Sequence, residues 1–258
     1  MAQGSVRPVA PVKARARGPV QVTLEATIGL FFVAFTAWFM GLMSEVAGHH
    51  LFWKSEGAYA HSARITQQDL DYILAAPRSL AVGDTEAFAR KVMATAAAPY
   101  RMAGLVAAYE RFHADVPPAR AARAATHQGP LGEGLKSVTR QIFRSASYWA
   151  MVSLHVAQDV ALRLSVALFA LPAFALAVLI GAVDGLVRRD LRRWRGGRES
   201  SFIYHHAKQY TVWALTGGFG FYLMWPLGGF NPAYMVLIFT VLVAVVLSTA
   251  VASFKKYA

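Results

Sequence analysis

The sequence predicts an all-α, polytopic membrane protein with four transmembrane helices and an α-helical extracytoplasmic segment between the first and the second. Three observations predict it. The 258-residue chain is 56% hydrophobic and only 16% charged, where soluble domains carry roughly a quarter charged residues. Uncharged runs of 19 residues separate Glu25 from Glu45, 20 separate Arg163 from Asp184 and 46 separate Lys208 from Lys255; a hydrocarbon core about 30 Å thick needs roughly 20 apolar residues as a helix. The basic residues, 26 against 14 acidic, crowd the flanks of those runs.

Each element follows in order. Residues 1–25 form a disordered basic tail, and 26–44 the first span. That span has a long charged leader and exceeds the apolar core of a signal peptide, so it reads as an uncleaved anchor. Residues 45–158 make the extracytoplasmic segment, and 159–183 the second span with its outer flank, bent at Pro172. A basic loop occupies 184–208. The last uncharged run is long enough to cross twice, and Gly228, Gly229, Asn231 and Pro232 are turn formers within it. It therefore divides into a third span at 209–226, a turn at 227–232 and a fourth span at 233–254, with 255–258 as the end.

The charges orient these spans. Arg7, Lys13, Arg15 and Arg17 precede the first span; Lys255 and Lys256 follow the last. Arg188, Arg189, Arg192, Arg193, Arg195, Arg198 and Lys208 lie in the short loop, whereas the segment 45–158 is close to charge balance. By the positive-inside rule both termini and the loop are cytoplasmic. Within the loop, Val187, Leu191 and Trp194 recur at i, i+4 and i+7 with arginines on the other faces. That pattern fits an amphipathic turn lying on anionic headgroups. Arg188, Arg189, Arg192, Arg193, Trp194 and Arg195 are thus candidate lipid or partner contacts. No nucleic-acid-binding motif accompanies them, so direct contact with nucleic acid is the less supported reading. Gly196 and Gly197 are expected to break the helix, and Ser200 or Ser201 to cap the next.

The outer segment reads as helical. A capping pattern begins at Thr66, with Gln67, Gln68 and Asp69 behind it, and Pro77 ends that piece. A second helix starts near Asp84 or Thr85 and is interrupted by Pro99. Met102, Leu105, Val106 and Tyr109 continue an apolar face. Residues 117–134 read as an exposed connection, and a long helix from about Leu135 leads into the second span. An alanine-rich core of this kind buries little area, so packing against neighbours is expected.

Few residues suggest chemistry. The chain has no cysteine, which removes disulfides, thiolate metal sites and cysteine nucleophiles. His155, Asp159 and Arg163 form one polar stripe at i, i+4 and i+8. Its plain reading is an Asp159–Arg163 ion pair at the membrane interface; proton or ion handling and a subunit contact are the alternatives. The pairs His49–His50 and His205–His206 lack any HExxH spacing, and the GGFG at 217–220 follows no strand. Gly181 and Gly185 have the GxxxG spacing that lets helices approach closely. Neither a catalytic residue set nor a metal or cofactor site emerges, so no enzyme is expected.

Three stretches, VDGLVRRDLRR, GRESSFIYHHAK and the C-terminal FKKY, resemble the integrating conjugative element membrane protein family. The resemblance is strongest over 160–258. It implies an inner-membrane structural or accessory protein beside a type IV secretion-like conjugative apparatus, with other transfer proteins as partners and no established active site. A homo-oligomer is compatible with it. The rival readings are a small transporter or channel, and a membrane-tethered protein handling DNA through the arginine loop.

Overall fold

The computed structural model describes residues 18–75, 82–113, 130–194, 218–225, 228 and 230–253, with backbone alone for 130–136. All regular structure among them is helical: α1 (Pro19–Leu51), α2 (Ala58–Ala75), α3 (Thr85–Met102), α4 (Leu105–His113), α5 (Pro130–Phe169), α6 (Leu171–Trp194) and α7 (Pro232–Ala252). Residues 218–224 form a further short helical piece.

Proline starts α1 at its first helical position, where the missing N–H is no loss. Its 33 residues span about 50 Å at ~1.5 Å per residue, more than a bilayer core requires. Phe31, Phe32, Phe35 and Phe39 are exposed around it, and only Ala37, Glu45 and Gly48 are buried. A helix apolar on all sides suits a lipid environment.

The outer helices differ in their ends from the sequence reading. Helix α2 begins at Ala58, after Gly57 at φ 83°, so Thr66 is not a cap. Its hydroxyl lies 2.9 Å from the Ser62 carbonyl and 3.0 Å from the His155 carbonyl, sharing one proton between them and joining α2 to α5. Helix α3 starts where expected, with the Asp84 carboxylate accepting from the Ala87 N–H at 2.9 Å. Pro99 does not interrupt it. A proline in the last turn removes one backbone bond only, and the chain runs on to Met102 before Gly104, at φ 70°, ends it. Met102 points outward, 88% exposed, so the apolar face is continued by Val106 and Tyr109 without it. Helix α5 begins at Pro130, inside the stretch read as a connection. Residues 76–81 and 114–129, including Pro77, expected to end that piece, lie outside the described residues.

The expected second span is two helices. Hydrogen bonds run from the Ala170 N–H to the Val166 carbonyl and from the Phe174 N–H to the Ala170 carbonyl, both at 3.0 Å. Between them Pro172 has no N–H to offer, and the helix breaks at Ala170. Four helices among the described residues are long and apolar enough to cross a membrane: α1, α5 from Ser137, α6 and α7. The expected span 209–226 is not among them, since only 218–225 of it is described; α5 and α6 supply two members where one was expected.

Helix α5 is the hub, packing against α1, α2, α3 and α4. In its apolar window 44% of residues are buried in protein, against 6% for α1, 17% for α6 and 11% for α7. Leu162 meets Ile73 of α2 and Ala89 of α3; Met151 and Leu154 meet Ala97 of α3 with Val106 and Tyr109 of α4. On another side Val160 joins Ala37 of α1 with Tyr222 and Leu223. Helices α1 and α5 are antiparallel, with Gly41 against Val156 and His49 against Trp149. Past the kink α6 pairs with α7 in parallel, Gly181 facing Ala244 and Gly185 facing Ser248. Asn231 caps α7 by accepting from the Ala233 N–H at 2.9 Å.

Candidate functional site

Where α1, α2, α5 and the 218–225 piece converge, the interior is polar. Arg163 sits at its centre, 3% exposed. Its Nε donates to Asp69 Oδ2 at 2.8 Å, and an Nη lies 3.1 Å from Asp159 Oδ2. Nη1 donates to the carbonyls of Tyr222 at 3.0 Å and Trp225 at 2.6 Å. These carbonyls end a helical piece; that of Tyr222 also accepts from the Trp225 N–H at 3.3 Å, and the guanidinium supplies a second donor there and a donor to Trp225. The Arg163 guanidinium also lies 5.7 Å from the Tyr222 ring centre, within cation–π range. One side chain thereby binds a membrane-type helix, an outer helix and the start of the last turn.

Asp159 and Arg163 are thus paired, but as part of a buried cluster whose other carboxylate comes from α2. Asp69 looks like a helix-start residue in the sequence. Its signal was periodic: Ile65, Asp69 and Ile73, at i, i+4 and i+8, are all buried. A carboxylate interrupting an apolar stripe demands a cation, and Arg163 supplies it. His155 takes another role, its Nδ1 lying 3.2 Å from Ser62 Oγ.

A second polar contact flanks the first. Glu45 of α1 faces His61 of α2, with Nδ1 at 2.9 and 3.1 Å from its two carboxylate oxygens. Trp53 stacks on the His61 ring at 3.8 Å. Burial, and then the Arg64 guanidinium, push the His61 imidazole below its ordinary range. Outside this layer Arg64 pairs with Glu56 at 2.8 Å, and that bond holds the Glu56 carboxyl below its usual range. Gly48 makes the stack feasible, because a Cβ there would lie 1.7 Å from the Trp53 ring. Gly48→Ala is expected to expel Trp53 from the stack and to change its fluorescence maximum towards that of a water-exposed indole, with a stability loss of about 1–3 kcal/mol. An unchanged emission spectrum would show that Trp53 does not occupy this seat.

Glu45 and Asp159 line one cavity of about 20 Å3, together with Ser62, Trp225 and apolar side chains. Asp159 Oδ1 and the Tyr222 hydroxyl are buried without a hydrogen-bond partner among the described residues. Among those residues, no group of three or more His, Cys, Asp or Glu is placed to hold a metal ion.

The remaining sequence candidates lie elsewhere. A Cβ on Gly181 would stand 2.5 Å from the Ala244 carbonyl oxygen, and one on Gly185 2.7 Å from that of Ser248. At the end of α6, Arg188 pairs with Asp184 at 2.8 Å and Arg192 donates to the Ala252 carbonyl, closing α6 onto the last turn of α7. Arg193 and Trp194 are exposed and Arg189 is half-buried. Arg195, the break at Gly196–Gly197 and the cap at Ser200 or Ser201 lie outside the described residues.

Comparison with curated proteins and with solved structures gave no match. The family described as IncC plasmid conjugative DNA transfer protein DtrJ-like matches residues 52–255, which takes in the outer helices as well as the C-terminal region that carried the resemblance. With so much of its length matched, the chain belongs to the DtrJ-like family of conjugative DNA transfer proteins.

Proposed function

We propose that the protein is a non-catalytic structural or accessory component of a type IV secretion-like conjugative apparatus, seated in the inner membrane. In this reading its termini and the basic end of α6 face the cytoplasm, and α2–α4 face the opposite compartment. The observation that carries it is the Arg163 cluster. A guanidinium bonded to Asp69, Asp159 and two backbone carbonyls fastens the outer helices rigidly to apolar ones, as a platform for protein partners requires. The family supplies conjugation and, with it, other transfer proteins as partners. The exposed Arg193 and Trp194, beside the apolar Val187 and Leu191, support contact with anionic headgroups, at about 1 kcal/mol per basic residue.

An in-frame deletion is expected to lower conjugation frequency, with recovery by the intact gene, and a tagged copy is expected to copurify with other transfer proteins. Recovery of the tagged protein as a free monomer from cells actively transferring DNA would overturn the reading. One observation favours a small transporter instead: ionisable groups gather around one cavity. Flux through reconstituted vesicles, abolished by Asp159→Ala, would establish that alternative.

A further inference from the structure

The cluster does not balance its charge. From α1 comes Glu45; from α2 come His61 and Asp69, with Arg64 and Glu56 paired to each other further out. From α5 come Asp159, Arg163 and His155, and from the 218–225 piece Tyr222. Three buried carboxylates face one permanent cation. Even with His61 protonated beside Glu45 and Arg163 assigned to Asp69, the charge of Asp159 remains; with His61 neutral there are two, of which one shared proton cancels one, while the other keeps hydrogen bonds from the His61 Nδ1–H and the Arg163 guanidinium. An unpaired charge in a protein interior is costly enough that the site takes up a cation or a proton instead.

The geometry identifies which. Asp159 is 8% exposed, its Oδ1 has no partner among the described residues, and it lines the cavity that Glu45 also lines. The cavity, at about 20 Å3, exceeds the roughly 10–15 Å3 one water needs, and a buried water seeks two to four polar neighbours. Glu45, Ser62 and Asp159 supply those. The rest of the wall includes Ile65, Val156, Val160 and Leu223, too poor in oxygen for the six or more ligands of Ca2+ or the octahedral shell of Mg2+.

We propose that this cavity is a binding site for a single proton, held with one enclosed water between the Glu45 and Asp159 carboxyls. The proton is taken from bulk solvent. When bound, one carboxylic O–H donates to the water, and the water donates to the other carboxylate; no other bond changes. Occupancy fastens α1 to α5 across the cavity. Its loss leaves two carboxylates facing each other there, and their repulsion pushes α1 away from α5. The inference does not depend on the role in conjugation, and its readout on purified protein leaves that role to be judged by transfer frequency.

The test is infrared spectroscopy of the full chain in lipid nanodiscs at neutral pH, in H2O and D2O. The wild type is expected to show a protonated carboxylic acid carbonyl band that shifts down in D2O. Glu45→Gln and Asp159→Asn are each expected to remove it, and Glu56→Gln to leave it. Absence of the band in the wild type, or its persistence in both variants, overturns the proposal, and the wild-type spectrum decides alone if a variant does not fold. Replacing choline by sodium at constant ionic strength separates the sources of positive charge. An unchanged band supports the proton, whereas a band abolished by sodium makes this a sodium site and overturns the assignment.

Discussion

Arg163→Ala is expected to destabilise the folded protein by about 3–5 kcal/mol, the usual cost of removing one partner from a buried ion pair. The truncation leaves Asp69 and Asp159 as buried carboxylates without their cation, and removes the guanidinium donor from the Tyr222 and Trp225 carbonyls. The sign of a second change distinguishes charge from packing. Adding Asp69→Asn to Arg163→Ala is expected to recover part of the loss, because the amide no longer brings an unpaired charge, although Asp69→Asn alone is destabilising. Arg163→Lys keeps the charge, but its single ammonium does not reproduce the planar fork and is expected to fall between. Chemical unfolding in nanodiscs measures all four. Limited proteolysis is the structural readout: α2 and α3 should become cleavable in Arg163→Ala while α6 and α7 stay protected. A loss under 1 kcal/mol with unchanged protection would show that Arg163 is not the tie between the two parts.

The second large effect is expected at the α6–α7 seam. Gly181→Leu and Gly185→Leu place a side chain where backbone already stands, against the Ala244 carbonyl oxygen at 2.5 Å and the Ser248 carbonyl oxygen at 2.7 Å. Backbone cannot rotate out of the way as a side-chain tip does, so the helices must part along the seam. Even alanine, which favours an unpacked helix by about 1 kcal/mol over glycine, is expected to lose about 1–3 kcal/mol here through overpacking. Separation also breaks the bond from Ser248 Oγ to Asp184 Oδ2. Thiol crosslinking reports it directly. A chain carrying Asp184→Cys and Ser248→Cys should crosslink within itself, and adding Gly181→Leu should abolish that product. Persistent crosslinking would mean that the glycines do not set the approach.

Much of this architecture was legible one helix at a time. The runs flanking Glu25, Glu45, Arg163 and Asp184 mark apolar helices by length alone, and Asp84 announces α3 through local capping chemistry. Pro172 foretold a bend, and the break falls two residues before it. Local signals erred where tertiary contacts outweighed them: Thr66 resembles a cap, yet its hydroxyl serves a contact with His155 from within α2. The candidate site was legible only by half. Asp159 and Arg163 are four residues apart, so helical periodicity brings them together, whereas Asp69 and Arg163 are 94 residues apart and no local rule pairs them.

The sequence alone determined that the described residues are helical, which stretches are long and apolar enough to cross a membrane, and where the basic residues collect, because these depend on composition and period within a single helix. The tertiary structure alone decided that α5 is the hub on which α1 to α4 pack, that α6 and α7 run parallel with glycines at their seam, and that Arg163 meets a carboxylate from α2 as well as its own. Those outcomes depend on which surfaces face one another after the chain has folded back. A charge that reads as an interface anchor on an isolated helix becomes an internal fastener once a second helix covers it.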